Sequence, residues 1–165
     1  MATTARRVVV TGAAGAIGRR VTRRLVAAGA GVLAIDKADL SGLPPSVDTK
    51  RVDLASADLA SLFAGADVVV HLASAMPAGS AEPAEARLEM AIARRVLDAM
   101  TATDVAHHVM VSSAMVYGAW VGNPVPLTEE CPVRPNPDFD WAVARARLER
   151  LACEWRGGRP GRVGP

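Results

Sequence analysis

Three glycines and one acid carry the first chemistry that can be read in this chain. Gly12, Gly15 and Gly18 follow the apolar run Val8-Val9-Val10 and precede a stretch of helical periodicity, so a strand passes through a glycine turn into a helix. In that arrangement Gly12 permits the tight turn, Gly15 lets the backbone approach a pyrophosphate, and Gly18 lets helix and strand pack closely. The helix N-terminus adds unpaired N–H groups and the positive end of its dipole, which together attract phosphate. Asp36 closes the next apolar run, Val32 to Ile35, where a carboxylate can bind both hydroxyls of an adenosine ribose. The same carboxylate would repel a 2′-phosphate, which favours NAD over NADP, and Lys37 beside it partly offsets that repulsion.

The elements that must position these residues follow from periodicity. Val8 to Val10 reads as a buried strand, and Ile17, Val21 and Leu25 read as one stripe of a helix ended by Gly29 and Gly31. Val32 to Ile35 is a second strand, Arg51-Val52 marks a short third, and Ser56 to Phe63 suits a short helix stopped by Gly65. Val68 to Leu72 is the most apolar strand. Pro83 opens a helix whose expected face is Leu88, Ile92, Val96 and Met100, and His108 to Ser112 reads as a fifth strand. A polar, proline-rich loop then leads to a last helix over Phe139 to Trp155. Strands alternating with helices predict an α/β fold, a Rossmann-like doubly wound parallel sheet of about five strands in the order 3-2-1-4-5. Residues 1–157 are expected to form one dinucleotide-binding domain, with 158–165 a flexible tail.

Composition narrows the classes. A chain of 165 residues can bury about 70% of the surface exposed by its unfolded form, so one real core is expected. No apolar run approaches the roughly 20 residues that span a bilayer, and the apolar stretch after Arg6-Arg7 is too short for an export signal. Two cysteines, Cys131 and Cys153, without metal-ligand spacing argue against a disulfide framework or structural metal, and a cytoplasmic setting is the default. A net charge of +2 gives no argument for nucleic acid, and Arg19, Arg20, Arg23 and Arg24 read as a solvated helix face. His71, His107 and His108 read as strand residues rather than as ligands or acid/base groups.

The spacing Thr11-Gly12-x-x-Gly15-x-Ile17-Gly18 resembles the extended short-chain dehydrogenase/reductases, the NAD-dependent epimerase/dehydratase group. Further segments are similar in order: Asp53-Leu54, implied to lie at the adenine; His71-Leu72-Ala73-Ser74, implied to run beside the cofactor; Ser112-Ser113 with Val116-Tyr117-Gly118; and Pro126 to Pro135 around Glu129-Glu130. The resemblance implies NAD as cofactor and a nucleotide sugar as substrate class. Its cofactor contacts fall on Gly12, Gly15, Ile17, Gly18, Asp36, Lys37, Asp53, Leu54, Leu72 and Ala73, and its catalytic positions on Ser113, Trp141 and Arg145.

At those catalytic positions the chain departs from the family. The family exchanges a proton through a Tyr-x-x-x-Lys pair, in which the lysine cation lowers the phenol's pKa. Here the pair is Trp141-Ala-Val-Ala-Arg145, and an indole N–H can only donate. No realignment restores it, because the single tyrosine is Tyr117 and the two lysines, Lys37 and Lys50, both precede it. Tyr117 matches the family's other tyrosine, and its expected role is packing. Ala114-Met115 stand where sugar dehydratases of this type place an Asp-Glu pair, which disfavours dehydration.

Family members also continue beyond this length with further strands and a C-terminal substrate domain. The expectation is therefore a cofactor-binding pseudoenzyme or sensor. The alternatives are an oxidoreductase or nucleotide-sugar epimerase completed by a partner chain or using Ser113, and a truncated product of a longer gene. An uncovered fifth strand, with helices 84–102 and 139–155, leads to the expectation of a homodimer.

Overall fold

The computed structural model describes residues 6–75 and 82–157, so the expected tail lies outside the described residues. Five strands, β1 (Arg7–Thr11), β2 (Gly31–Asp36), β3 (Asp48–Arg51), β4 (Val68–His71) and β5 (His107–Met110), form one sheet in the order β3-β2-β1-β4-β5. Every pairing is parallel. The expected strand order and Rossmann-like class are those observed.

Its helices are α1 (Ala16–Ala27), α2 (Leu59–Phe63), α3 (Pro83–Ala102) and α4 (Asp140–Gly157), with a 3₁₀ turn over Ala114–Tyr117. Two compact units divide the chain. One holds residues up to Ser74 and Ala91–Val111, the other Ala75–Met90 and the chain from Ser112 onward.

In the first unit β1 is central, and Val8, Val9 and Val10 are all buried, as a parallel strand covered on both faces requires. Alternation sends Val8, Val10, Val32, Ala34 and Val70 to one face, where Val21, Leu25 and Val26 of α1 pack against them. Val9, Leu33, Ile35 and Val69 point the other way and are equally buried. Ile17 does not join the helix stripe. It is 55% exposed, and the buried residues of α1 are Gly18 and Thr22, because the helix packs closest at its glycine and turns Ile17 outward.

Strand β3 comes earlier than Arg51-Val52 and has no apolar residue: Asp48, Thr49, Lys50 and Arg51 are all exposed and held by pairing with Leu33 to Asp36 of β2. The fifth strand likewise stops at Met110 rather than Ser112. The short second helix begins at Leu59, where the Asp58 side chain accepts the N–H of Ser61.

In α3 the buried stripe is Glu89, Ala93, Val96, Leu97 and Met100. Leu88, expected inside, is 45% exposed. In the second unit α4 buries Ala142, Ala144 and Leu148. Before it, the 3₁₀ turn is capped by Ser113, whose hydroxyl accepts the N–H of Met115 at 3.2 Å.

Candidate functional site

The glycine turn is built from contacts that tolerate no side chain at two of its three glycines. Gly12 has φ +70°, and a Cβ there would lie 2.4 Å from the Ala73 nitrogen and 2.6 Å from the Leu72 carbonyl carbon. Leu72 and Ala73 are thus brought against the turn, with the Leu72 N–H donated to the Thr11 carbonyl at 3.1 Å. A Cβ at Gly18 would meet the Gly12 oxygen at 2.1 Å, so this glycine exists to let α1 sit on the turn. Gly15 differs: its Cβ would meet only the Gly12 oxygen, at 3.3 Å, and on its other sides it has open space.

Gly15 is the N-cap of α1. No side chain caps that end, and no acid stands in its first turn. A helix that starts without a capping side chain leaves N–H donors and the positive end of its dipole for an anion.

Asp36, at the end of β2, braces this turn. One carboxylate oxygen accepts the N–H of Ala14 at 2.9 Å and the other that of Ala38 at 2.9 Å. Each oxygen retains a further lone pair for a ribose hydroxyl. Arg19 supports the same region, donating to the carbonyls of Ala14, Ser41 and Asp39, and Arg23 donates to that of Gly42. Two members of the arginine cluster therefore hold backbone and are not merely solvated. The Ser41 hydroxyl and N–H, with smaller contributions from Arg19 and Arg51, keep the Asp39 carboxyl below the usual carboxylate range.

Lys37 is exposed, and its carbonyl accepts Arg51 Nε at 3.0 Å, which sets a second cation near the acid. Asp53 is exposed and closes a turn by accepting the Ala55 N–H at 2.9 Å. Leu54 is a core residue, 6% exposed, whose carbonyl accepts Arg95 Nε. Sequence reasoning missed Arg19, Arg51 and Arg95. Each acts through a backbone carbonyl, which no side-chain pattern announces.

Beside the turn lies a buried polar column. Thr11 is fully buried, and its Oγ1 shares a hydrogen bond of 2.7 Å with Nδ1 of His71. The His71 ring stacks on that of His108 with centroids 6.3 Å apart. Burial lowers the pKa of His108 below its ordinary value. Among the described residues no three His, Cys, Asp or Glu side chains group as metal ligands, and no helix is long and apolar enough to cross a membrane.

The second unit holds the residues at the expected catalytic positions. Trp141 and Arg145 lie one turn apart on α4, with the guanidinium over the indole ring at 5.2 Å. Arg145 Nη1 also pairs with Glu89 Oε1 at 3.0 Å. The indole Nε1 is buried and meets no acceptor among the described residues. Ser113, half-buried, caps the 3₁₀ turn, and Tyr117 is half-buried within it. Arg145 therefore already has a carboxylate partner, and Ser113 a backbone one.

The sequence matches the NAD dependent epimerase/dehydratase family over residues 8–159. The chain belongs to that family. Among solved structures it is similar to MoeE5 in complex with UDP-glucose and NAD, at 28% identity and a TM-score of 0.78, covering 93% of this chain and 50% of that one. A UDP-galactose 4-epimerase gives 30% identity and a TM-score of 0.76, with 90% and 51% covered. A short-chain dehydrogenase/reductase superfamily protein from Agrobacterium tumefaciens with bound NAD gives 29% and 0.72, with 88% and 44% covered. The chain thus spans about half the length of the structures it matches. No curated protein sequence matches it significantly.

Proposed function

We propose that this chain binds NAD through the Gly12–Gly18 turn and Asp36, and that it does not carry out the proton transfer of its family. The observation that carries this reading is the uncapped N-terminus of α1, set behind a glycine turn whose Ala14 N–H is held by one oxygen of Asp36. Gly15 supplies the open approach for a pyrophosphate, Asp36 the acceptors for ribose hydroxyls, and Leu72 and Ala73 the floor of the turn. When bound, nicotinamide can take and return a hydride. The accompanying proton needs a base, and the position that should hold it is Trp141, which has none to offer. A pseudoenzyme or sensor that reports occupancy by a dinucleotide in the cytoplasm fits these features.

A second reading is favoured by the neighbours, two of which are complexes with UDP-glucose or UDP-glucuronic acid and NAD. It makes this chain a nucleotide-sugar enzyme completed by a partner, with Ser113 touching the substrate. Titration with NADH, followed by its fluorescence, together with an epimerisation assay on UDP-glucose, separates the two. Binding without turnover supports the first reading. Turnover that falls on Ser113→Ala supports the second, and absence of both contradicts each.

A further inference from the structure

Arg51 is the residue of β3 that stands in register with Asp36 of β2, and the N–H of Val52 after it is donated to the Asp36 carbonyl at 2.9 Å. Neighbouring strands lie about 4.8 Å apart, and in-register residues of a parallel pair leave the sheet on the same side. The acid at the ribose end of the proposed site therefore has a cation as its cross-strand neighbour. Nε of Arg51 donates to the Lys37 carbonyl at 3.0 Å, which fixes the guanidinium beside the residue that follows Asp36. That bond uses one of five N–H donors, and those on the two Nη atoms meet no acceptor among the described residues. Arg19 differs, because its Nε, Nη1 and Nη2 all donate to backbone carbonyls. Arg51 and Lys37 are both exposed, and among the described residues neither pairs with a carboxylate. Asp39, which also feels the charge of Arg51, is already held by the hydroxyl and N–H of Ser41. Asp36 is thus a single acid, both of its oxygens on backbone N–H groups, beside two cations. All of these residues belong to the first unit.

We infer that Arg51 is a specificity-determining residue: it offers its Nη donors to a phosphate on the 2′-oxygen of the adenosine ribose, so that the chain takes NADP as a second, weaker ligand beside NAD. A guanidinium meets a phosphate through two parallel N–H bonds, and such charge-assisted bonds are roughly twice as strong as neutral ones. The Asp36 carboxylate repels the same phosphate, and Arg51 together with Lys37 offsets that repulsion. The inference rests on the NAD-binding reading above.

The test is a fluorescence titration of the chain with NADH and with NADPH, at low and high salt, for wild type, Arg51→Gln and Arg51→Lys. Wild type is expected to bind both, NADH the tighter. Arg51→Gln is expected to widen the gap between the two severalfold at low salt through loss of NADPH affinity, with the added gap shrinking as salt screens the charge. Arg51→Lys keeps the charge and is expected to recover part of the NADPH affinity. A merely structural role for Arg51 would weaken both ligands alike, because both titrate the same site, and a gap that stays at its wild-type size overturns the inference. So does a wild type that binds NADH but not NADPH, or an Arg51→Lys variant no better than Arg51→Gln. If wild type binds neither dinucleotide, the NAD-binding reading falls and this inference falls with it, whereas the other contrary outcomes leave that reading standing.

Discussion

The three glycines of the turn look alike in sequence and do different work. Gly18→Ala places a methyl 2.1 Å from a backbone oxygen that has nowhere to go, so it is expected to lower stability by about 1–3 kcal/mol or more in urea unfolding. Gly15→Ala needs a shift of only a few tenths of an ångström, so its midpoint is expected to stay near wild type while NADH affinity falls. Equal stability losses in both variants would mean that Gly15 is held by packing and not by a ligand. Asp36 combines the two roles. Asp36→Ala removes the acceptor of the Ala14 N–H in the glycine turn and of the Ala38 N–H just after β2, and a loss of about 1–3 kcal/mol is expected alongside loss of dinucleotide binding.

At the scale of elements, β5 carries His108, whose ring stacks on that of His71 in β4, and the burial of His108 gives stability a pH dependence. The pKa of His108 is lowered by burial in the folded protein, so the unfolded chain binds the proton more readily. The contribution is intact above the unfolded value of about 6.5 and is lost as pH falls from there through the folded pKa. The urea midpoint is expected to drop between pH 7 and 5, and His108→Gln to flatten that slope. An unchanged slope in the variant would assign it to other groups.

The elements also mark what the sequence could convey. Strands β1, β2 and β4 are legible because they are apolar and buried on both faces, and the glycine turn because its chemistry is local. Strand β3 has no apolar side chain and exists only through its pairing with β2, so its bounds could not be read from periodicity. Val96 and Met100 of the expected α3 face are buried, whereas its N-terminal half is displaced by one residue, because Leu88 is the apolar neighbour of an acid that is in fact the buried one. An acid in the phase of an apolar stripe was the available signal for Glu89, but its partners lie 14 and 56 residues away, at Ala75 and Arg145.

At the scale of the molecule, β5 is an edge of the sheet, and Val109 on it and Val111 just after it are 49% and 41% exposed. Apolar side chains on an edge that is unpaired among the described residues invite association, and we propose a homodimer, which light scattering tests. Val109→Lys is expected to shift it to monomer, whereas a monomeric wild type would contradict the dimer. The central claim is narrower and concerns the cofactor. Calorimetry of the chain with NAD, NADH and NADP tests it most directly: NAD and NADH are expected to bind one per chain and NADP more weakly, because the Asp36 carboxylate proposed to accept the ribose hydroxyls would repel a 2′-phosphate, and no binding by any of the three would contradict the account.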